Sequence, residues 1–101
     1  MAAWWLRLHG WRILATRART PRGEVDVVAR RGKSVVFVEV KARRSEAELD
    51  IAIDHARLQR VVAAAEYLVP KYAKGASEIR IDVILVAPWR LPRHLINVWH
   101  G

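Results

Sequence analysis

The stretch Ser34-Val35-Val36-Phe37-Val38-Glu39-Val40-Lys41-Ala42 decides the fold of this chain. Its run of β-branched and aromatic residues is typical of a strand at the centre of a sheet, covered on both faces. Because side chains alternate along a strand, Glu39 and Lys41 share one face. Burying such charges costs several kcal/mol unless they are paired or bound to a metal ion, so this acid and this amine need a chemical reason.

Two more acids, Glu24 and Asp26, lie upstream. A strand is predicted over 24–29, with both acids and Val28 on one face and Val25 on the other. A basic turn that contains a glycine follows, which predicts a hairpin into the central strand. Asp26 is therefore expected on the antiparallel strand next to the one that carries Glu39.

The remaining elements follow from helical periodicity, from alternation and from glycine and proline breakers. They are a short helix over 3–9 with Trp4 and Leu8 on its apolar face, a strand over 11–16, a basic loop over 17–23, a helix over 52–69 that Pro70 ends, and strands over 79–87 and 95–99. A three-strand meander followed by a helix and a further strand indicates an α/β layer. The helix is expected to cross over, so that the next strand joins the sheet in parallel.

The composition is that of one domain spanning residues 1–101, long enough for a single hydrophobic core. There is no cysteine, which excludes a disulfide scaffold and a thiolate metal site. No apolar run approaches the roughly 20 residues that span a membrane, and the first residues do not resemble a signal peptide. A cytoplasmic protein with no membrane association is therefore expected.

The net charge of +8 is unevenly distributed. Residues 1–44 contain eleven lysines and arginines and three carboxylates, whereas residues 45–101 contain seven residues of each sign. Most of the basic residues are arginine, the better bidentate ligand of phosphate. This pattern favours a polyanion partner, with a solvated basic surface as the alternative. Nucleic-acid contacts are assigned to the arginines that flank the acidic strands, which are Arg17, Arg19, Arg22, Arg43 and Arg44.

Acids on two neighbouring strands, with a lysine beside them, predict a divalent-metal site for phosphodiester hydrolysis. Mg2+ or Mn2+ binds through one or two carboxylates and keeps positions for water and phosphate. Asp26 and Glu39 are the predicted ligands, with the backbone carbonyl of Val40 as a third and Glu24 as an outer one. The ammonium of Lys41 would orient the attacking water or stabilise developing charge. Asp26, Glu39 and Lys41 are therefore the predicted catalytic residues.

Glu24-Val25-Asp26, twelve intervening residues and Glu39-Val40-Lys41 resemble the motif of the PD-(D/E)xK nuclease superfamily. Longer stretches resemble the YraN-like bacterial family, a relative of archaeal Holliday-junction resolvases; they are 10–14, 22–29, 36–45, 67–68 and 80–83. The resemblance implies a restriction-endonuclease-like core of the order αβββαβ, a mixed central sheet flanked by helices. It also implies that Asp26 and Glu39 match metal ligands and that Lys41 matches the catalytic lysine.

Two departures from the superfamily pattern bear on activity. Val25 stands where a proline usually precedes the metal-binding aspartate. Relatives usually begin with a longer helix that carries an acid able to join the site, whereas the first acid in this chain is Glu24. A site without that acid is one ligand short, which is the reason to consider a protein that keeps the nuclease fold without catalysis.

Structural ion pairs are the alternative interpretation of the same acids. Glu39 could pair with Lys41 or with an arginine, and Glu24 could pair with Arg22. Asp82, in the strand over 79–87, is expected to pair or cap structurally. A pair at Glu39 leaves the acid on the adjacent strand unexplained, which favours the metal site.

Three functions remain open from the sequence. The first is a metal-dependent endonuclease acting on DNA, branched or structured DNA included. The second is a non-catalytic nucleic-acid-binding module that retains the nuclease fold, and the third is a protein whose basic half docks an acidic partner protein. A homodimer suits the first function, because a branched duplex offers two cleavage positions and one such domain covers one.

Overall fold

The computed structural model of the chain describes residues 2–42 and 55–99. Within these residues, the elements in chain order are helix α1 (Ala2–Leu8), strands β1 (Arg12–Thr20), β2 (Gly23–Arg31) and β3 (Ser34–Ala42), helix α2 (His55–Tyr72), and strands β4 (Glu78–Val86) and β5 (Arg93–Leu95). Neither helix is both long and apolar enough to cross a membrane.

The strands form one sheet in the order β1-β2-β3-β4-β5, with the predicted central strand β3 in the middle. β3 pairs antiparallel with β2 through a hairpin whose turn is Gly32-Lys33, and parallel with β4, where Glu39 is opposite Val83. α2 makes the crossover between β3 and β4. The predicted mixed α/β architecture, with its hairpin and its parallel addition, is therefore confirmed.

The hydrophobic core has two layers, one on each face of the sheet. Phe37 of β3 is fully buried on the α2 side, where Leu58 and Val61 of the helix pack against it. Val36 and Val38 of the same strand are fully buried on the α1 side. This double coverage explains why β3 is apolar in both alternating positions and why only its end can carry charged groups into a cleft.

Strand β1 is longer than the sequence predicted, and the basic loop expected over 17–23 is reduced to the turn Pro21-Arg22. The strand continues to Thr20, and Ala18 and Arg19 pair with residues of β2. β1 is an edge strand, so its arginines can face solvent while its backbone pairs on one side. Arg17 lies within it at a φ of 51°, in the left-handed region, which marks a local irregularity.

The helix predictions were correct in type and wrong in detail. α1 buries Ala2 and Leu6, four positions apart, whereas the predicted apolar face residues Trp4 and Leu8 are exposed. α2 continues past Pro70 to Tyr72. A proline this close to a helix end removes a single N–H, and Ala73 N–H still donates to the Val69 carbonyl at 2.9 Å. The predicted start at residue 52 lies outside the described residues.

The last strand was also placed too late. β5 covers Arg93–Leu95 and pairs antiparallel with β4, whereas residues 96–99 follow it outside the ladder. Residues 96–99 are still attached to the fold. The Val98 N–H donates to the Ile81 carbonyl at 2.8 Å, and Val98 packs against the core.

Candidate active site

A cleft of about 370 Å³ opens where the start of β2, the end of β3 and the first turns of α2 meet. Its described lining residues are Gly23, Glu24, Asp26, Glu39, Arg57, Arg60 and Val61. Gly23 has a φ of 148°, a backbone conformation that residues with a side chain rarely adopt, and it lies close to the backbone of α2. The fold thus brings the three predicted acids together in one cleft.

Asp26 sits where β2 separates from β3. The backbone ladder between these strands reaches Val27 opposite Val38, and beyond it the Asp26 Oδ2 accepts a hydrogen bond from Val40 N–H at 2.7 Å. The N–H and C=O of a strand residue point toward the same neighbouring strand, so the Val40 carbonyl lies on the side of β3 that faces Asp26. This places the predicted backbone ligand beside a predicted carboxylate ligand.

At Asp26, where β2 separates from β3, the side chains of β2 also change the face of the sheet on which they lie. Val25 packs with Val28 in the core layer under α2, whereas Val27 belongs to the opposite layer. Two residues three positions apart therefore share a face, and the predicted placement of Val25 opposite to Val28 was wrong. The break in alternation falls at Asp26, because its side chain takes the place of a backbone partner of β3.

Glu39 is buried and ion-paired. The residue is 5% exposed, and both its carboxylate oxygens accept hydrogen bonds at 3.2 Å from the Arg57 guanidinium of α2. The Arg57 side chain is 56% exposed, so the arginine reaches into the cleft from its solvent side. Of the pairings considered from the sequence, the structure has the one with an arginine.

Glu24 is the outermost acid. It pairs across the strands with Arg19, with 3.4 Å between Arg19 Nε and Glu24 Oε2, and not with Arg22 as the sequence suggested. The arginine is largely exposed, so the pair contributes little to stability. Arg17 and Arg22 are exposed near this edge, while Arg43 and Arg44 lie outside the described residues.

Lys41 follows Glu39 by two positions on β3, opposite Leu85 of β4, and is 8% exposed. Alternation puts its side chain on the face of β3 that carries Glu39. It is not among the residues that line the cleft. The structure therefore assembles Asp26, Glu39 and Glu24 directly, with Lys41 beside them.

The candidate ligand atoms in the cleft are of the type that small, hard cations prefer. Asp26, Glu39 and the Val40 carbonyl supply oxygen ligands alone, which Mg2+ and Mn2+ prefer, and Mg2+ uses only one or two carboxylates. In the described part of the chain, no group of three or more His, Asp or Glu side chains is arranged to hold a metal ion. Glu24 therefore does not join Asp26 and Glu39 in such a group, and the guanidinium of Arg57 competes with any cation for the Glu39 oxygens.

Asp82 forms a separate polar centre inside β4. Its fully buried carboxylate accepts hydrogen bonds from Arg80 at 2.8 Å, from Asn97 N–H at 2.9 Å and contacts His94 Nε2 at 2.6 Å. Burial by itself raises the pKa of Asp82, but the hydrogen bonds of His94, Arg80 and Asn97 and the charge of Arg80 together hold that pKa below its usual value. The expected structural role of Asp82 is confirmed.

Arg57 and Arg60 are the cleft residues that the sequence did not assign to the site. They are three positions apart on α2, beside Val61, which packs into the core. Such spacing puts them on one flank of the helix. The pattern could have indicated a basic helix flank, but which strand it faces depends on the docking of α2.

The fold and this cleft define a mixed α/β domain compatible with a nuclease-like core. The family described as "Uncharacterised protein family UPF0102" matches residues 1–86 of the chain. The chain belongs to this family, the YraN family that its sequence resembles.

The relatives found cover the whole of the described fold. A UPF0102 protein of Rhizorhabdus wittichii is 62% identical over 101 residues, which are 100% of this chain and 86% of the relative. A UPF0102 protein of Sphingopyxis alaskensis is 64% identical over 98 residues, or 97% of this chain and 84% of the relative. One of Mesorhizobium japonicum is 49% identical over 102 residues and is covered to 82%.

Proposed function

We propose that this protein is a divalent-metal-dependent endonuclease that hydrolyses phosphodiester bonds in DNA. The observation that carries the proposal is the meeting of Asp26 and Glu39, from adjacent strands, in a cleft lined by Arg57 and Arg60. Carboxylates alone would repel a phosphodiester, and arginines alone would bind it without hydrolysis. The two together suit a cation and a phosphate in one place.

Each residue has a distinct task in this proposal. Asp26 and Glu39 hold Mg2+ or Mn2+, with the Val40 carbonyl as a third ligand; the metal ion supplies Lewis acidity and neutralises charge on the phosphate oxygens. The guanidinium of Arg57, which is half exposed, turns from Glu39 to the phosphate. Lys41 stabilises negative charge that develops near the attacking water, because its low exposure strengthens its field.

The substrate and setting belong to the same proposal. Branched or structured DNA is the proposed substrate class, acted on by a homodimer that offers one cleft to each of two strands. A cytoplasmic location follows from a DNA substrate in a bacterial cell.

Metal-dependent cleavage tests the proposal. Purified protein is expected to cut plasmid, single-stranded or four-way-junction DNA in Mn2+ or Mg2+ and to stop in EDTA. Glu39→Gln, which removes a ligand charge at nearly constant shape, is expected to weaken Mn2+ binding at least tenfold in a calorimetric titration. Absence of cleavage on all three substrates in both metals would sink the enzyme proposal.

A non-catalytic nucleic-acid-binding module is the second candidate, and the bidentate pair between Glu39 and Arg57 favours it. A guanidinium already neutralises the carboxylate that a metal ion would need. This candidate predicts salt-sensitive DNA binding with no heat on titration of Mg2+ or Mn2+. A Mn2+ signal that disappears in Glu39→Gln would argue against it.

Replacing Arg57 by alanine is expected to tighten Mn2+ binding about two- to fivefold, the range of an ion pair with one solvent-exposed partner, as Arg57 is here. The physical reason is that the guanidinium competes for the Glu39 oxygens at 3.2 Å. Isothermal titration with Mn2+ measures the change. Arg60→Ala is the matched control, since Arg60 lines the same cleft and should change the affinity less. Equal Mn2+ affinity in Arg57→Ala and wild type would contradict the competition.

A further inference from the structure

A second cleft lies at the other end of the β1–β2 pair and is lined by arginines. It has a volume of about 340 Å³, and its lining residues are Gly10, Arg12, Arg30, Arg31 and Gly32. No carboxylate is among them, in contrast to the cleft that holds Asp26 and Glu39. We call it the arginine cleft.

Two of the three guanidinium groups of the arginine cleft, those of Arg30 and Arg31, are held in place by neutral partners. Arg30 donates from Nε to the Gly32 carbonyl at 2.9 Å and from a terminal nitrogen to the Lys74 carbonyl at 3.0 Å. Arg31 donates to the His9 carbonyl at 2.9 Å, and its guanidinium lies 4.4 Å from the centre of the Trp11 ring. Carbonyls and a ring fix the orientation of these groups without cancelling their charge.

The charge of the arginine cleft is therefore not neutralised within the described part of the chain. No described carboxylate lies within ion-pair distance of Arg12, Arg30 or Arg31. Glu78, two strands away at the start of β4, is instead hydrogen-bonded to Ser34. Two guanidinium groups of fixed orientation, with the exposed Arg12 beside them at an open cleft, suit a phosphate, because guanidinium pairs with phosphate through two parallel hydrogen bonds.

The distance between the two clefts matches the spacing of phosphates along a nucleic-acid strand. Arg30 follows Asp26 by four residues on β2, so the Cα atoms of the two residues are about 14 Å apart along the strand. A nucleic-acid strand in a duplex carries one phosphate per roughly 3.4 Å of axis, so this interval corresponds to about four phosphates. Beside the carboxylate cleft, the edge strand β1 exposes Arg17 and Arg19 to solvent, since Arg19 is opposite Glu24.

We propose that Arg12, Arg30 and Arg31 bind a backbone phosphate of the DNA whose scissile phosphate enters the carboxylate cleft. The inference rests on the proposed function and adds to it a positioning site and a direction, along the edge strand β1. None of these three arginines was assigned to nucleic-acid contacts from the sequence. The DNA is held at two separated points, which fixes which bond lies at Asp26 and Glu39.

Arg12 is the residue to change, because it is exposed and donates no hydrogen bond to another described residue. Arg12→Gln is expected to weaken binding of fluorescent duplex DNA about tenfold at low salt, as for the loss of one charge-assisted hydrogen bond. The slope of log affinity against log salt should fall by about 1, as for one lost phosphate contact. Arg12→Lys, which keeps the charge, should retain the slope.

Arg93→Gln is the matched control, with the same change of charge on the opposite edge strand, about 19 Å across the sheet. It should leave both the affinity and the salt slope near wild type. An Arg12→Gln variant that binds as Arg93→Gln does would overturn the arginine cleft and leave the metal-dependent cleavage test untouched. Failure of the wild type to bind DNA at all would overturn the proposed function as well.

Discussion

Asp26→Asn is expected to slow metal-dependent DNA cleavage about a thousandfold while the domain stays folded. A metal ion contributes several kcal/mol of stabilisation to developing charge, and a loss of about 4 kcal/mol corresponds to three powers of ten in rate. The asparagine keeps an oxygen that can accept the Val40 N–H bond, which is 2.7 Å long in the native protein. Cleavage rates in Mn2+ and thermal unfolding of the same preparation measure the two effects separately.

Two further variants distinguish a metal ligand at Asp26 from an acid with only a structural role. Asp26→Ala removes the acceptor as well as the charge, so it should lower stability by about 1–3 kcal/mol because the Val40 N–H loses its partner. Glu24→Gln is the control at the cleft entrance, where the acid is paired with Arg19 and partly exposed, and its rate should stay within tenfold of wild type. Asp26→Asn with wild-type cleavage would show that the activity arises elsewhere.

The parts of this site that the sequence predicted correctly are those that follow from strand geometry. The apolar run of β3 fixes a buried central strand, the hairpin fixes β2 beside it, and alternation then places Glu39 near Asp26. These steps need only local information, because antiparallel neighbours are joined by a short turn. The meeting of the two acids in one cleft follows from them.

The parts that the sequence could not supply depend on tertiary docking. Arg57 pairs with Glu39 across eighteen positions, and the pairing depends on the rotation of α2 over the sheet. The sequence predicts only a basic hairpin turn at Arg30 and Arg31. It does not predict the arginine cleft, because Arg12 comes next to Arg30 only through the register of β1. No periodicity in either segment encodes which charged groups come together in space.

The strand conformation of residues 17–20 was not predicted for a different reason. Residues 17–20 alternate arginine with alanine and threonine, so they offer little hydrophobic signal and were assigned to a loop. Their strand conformation comes from the backbone partners on β2, where Arg19 is opposite Glu24. A polar edge strand also resists pairing with other chains, and in this protein it exposes Arg17 and Arg19 beside the carboxylate cleft.

Asp82→Ala is expected to lower the free energy of unfolding by about 3–5 kcal/mol, the largest stability effect of any single change considered for this chain. The carboxylate is fully buried and holds Arg80, His94 and the backbone N–H of Asn97. Removal of the acid leaves a guanidinium that is 12% exposed without its charge partner. Urea unfolding at pH 7 measures the change, and Glu78→Gln, at an exposed carboxylate 4.0 Å from the same arginine, is the control and should cost under about 0.5 kcal/mol.

Acid titration provides a second readout that a simple packing defect would not reproduce. The pKa of Asp82 is lower in the folded protein than that of an aspartate in an unfolded chain, so its charge stabilises the fold above about pH 4. That contribution is lost as the pH falls through the folded pKa. Asp82→Asn keeps the shape and an acceptor oxygen but cannot titrate, so its stability should depend less steeply on pH below 4 than that of the wild type. Identical slopes in the two proteins between pH 4 and pH 2 would contradict a charged Asp82.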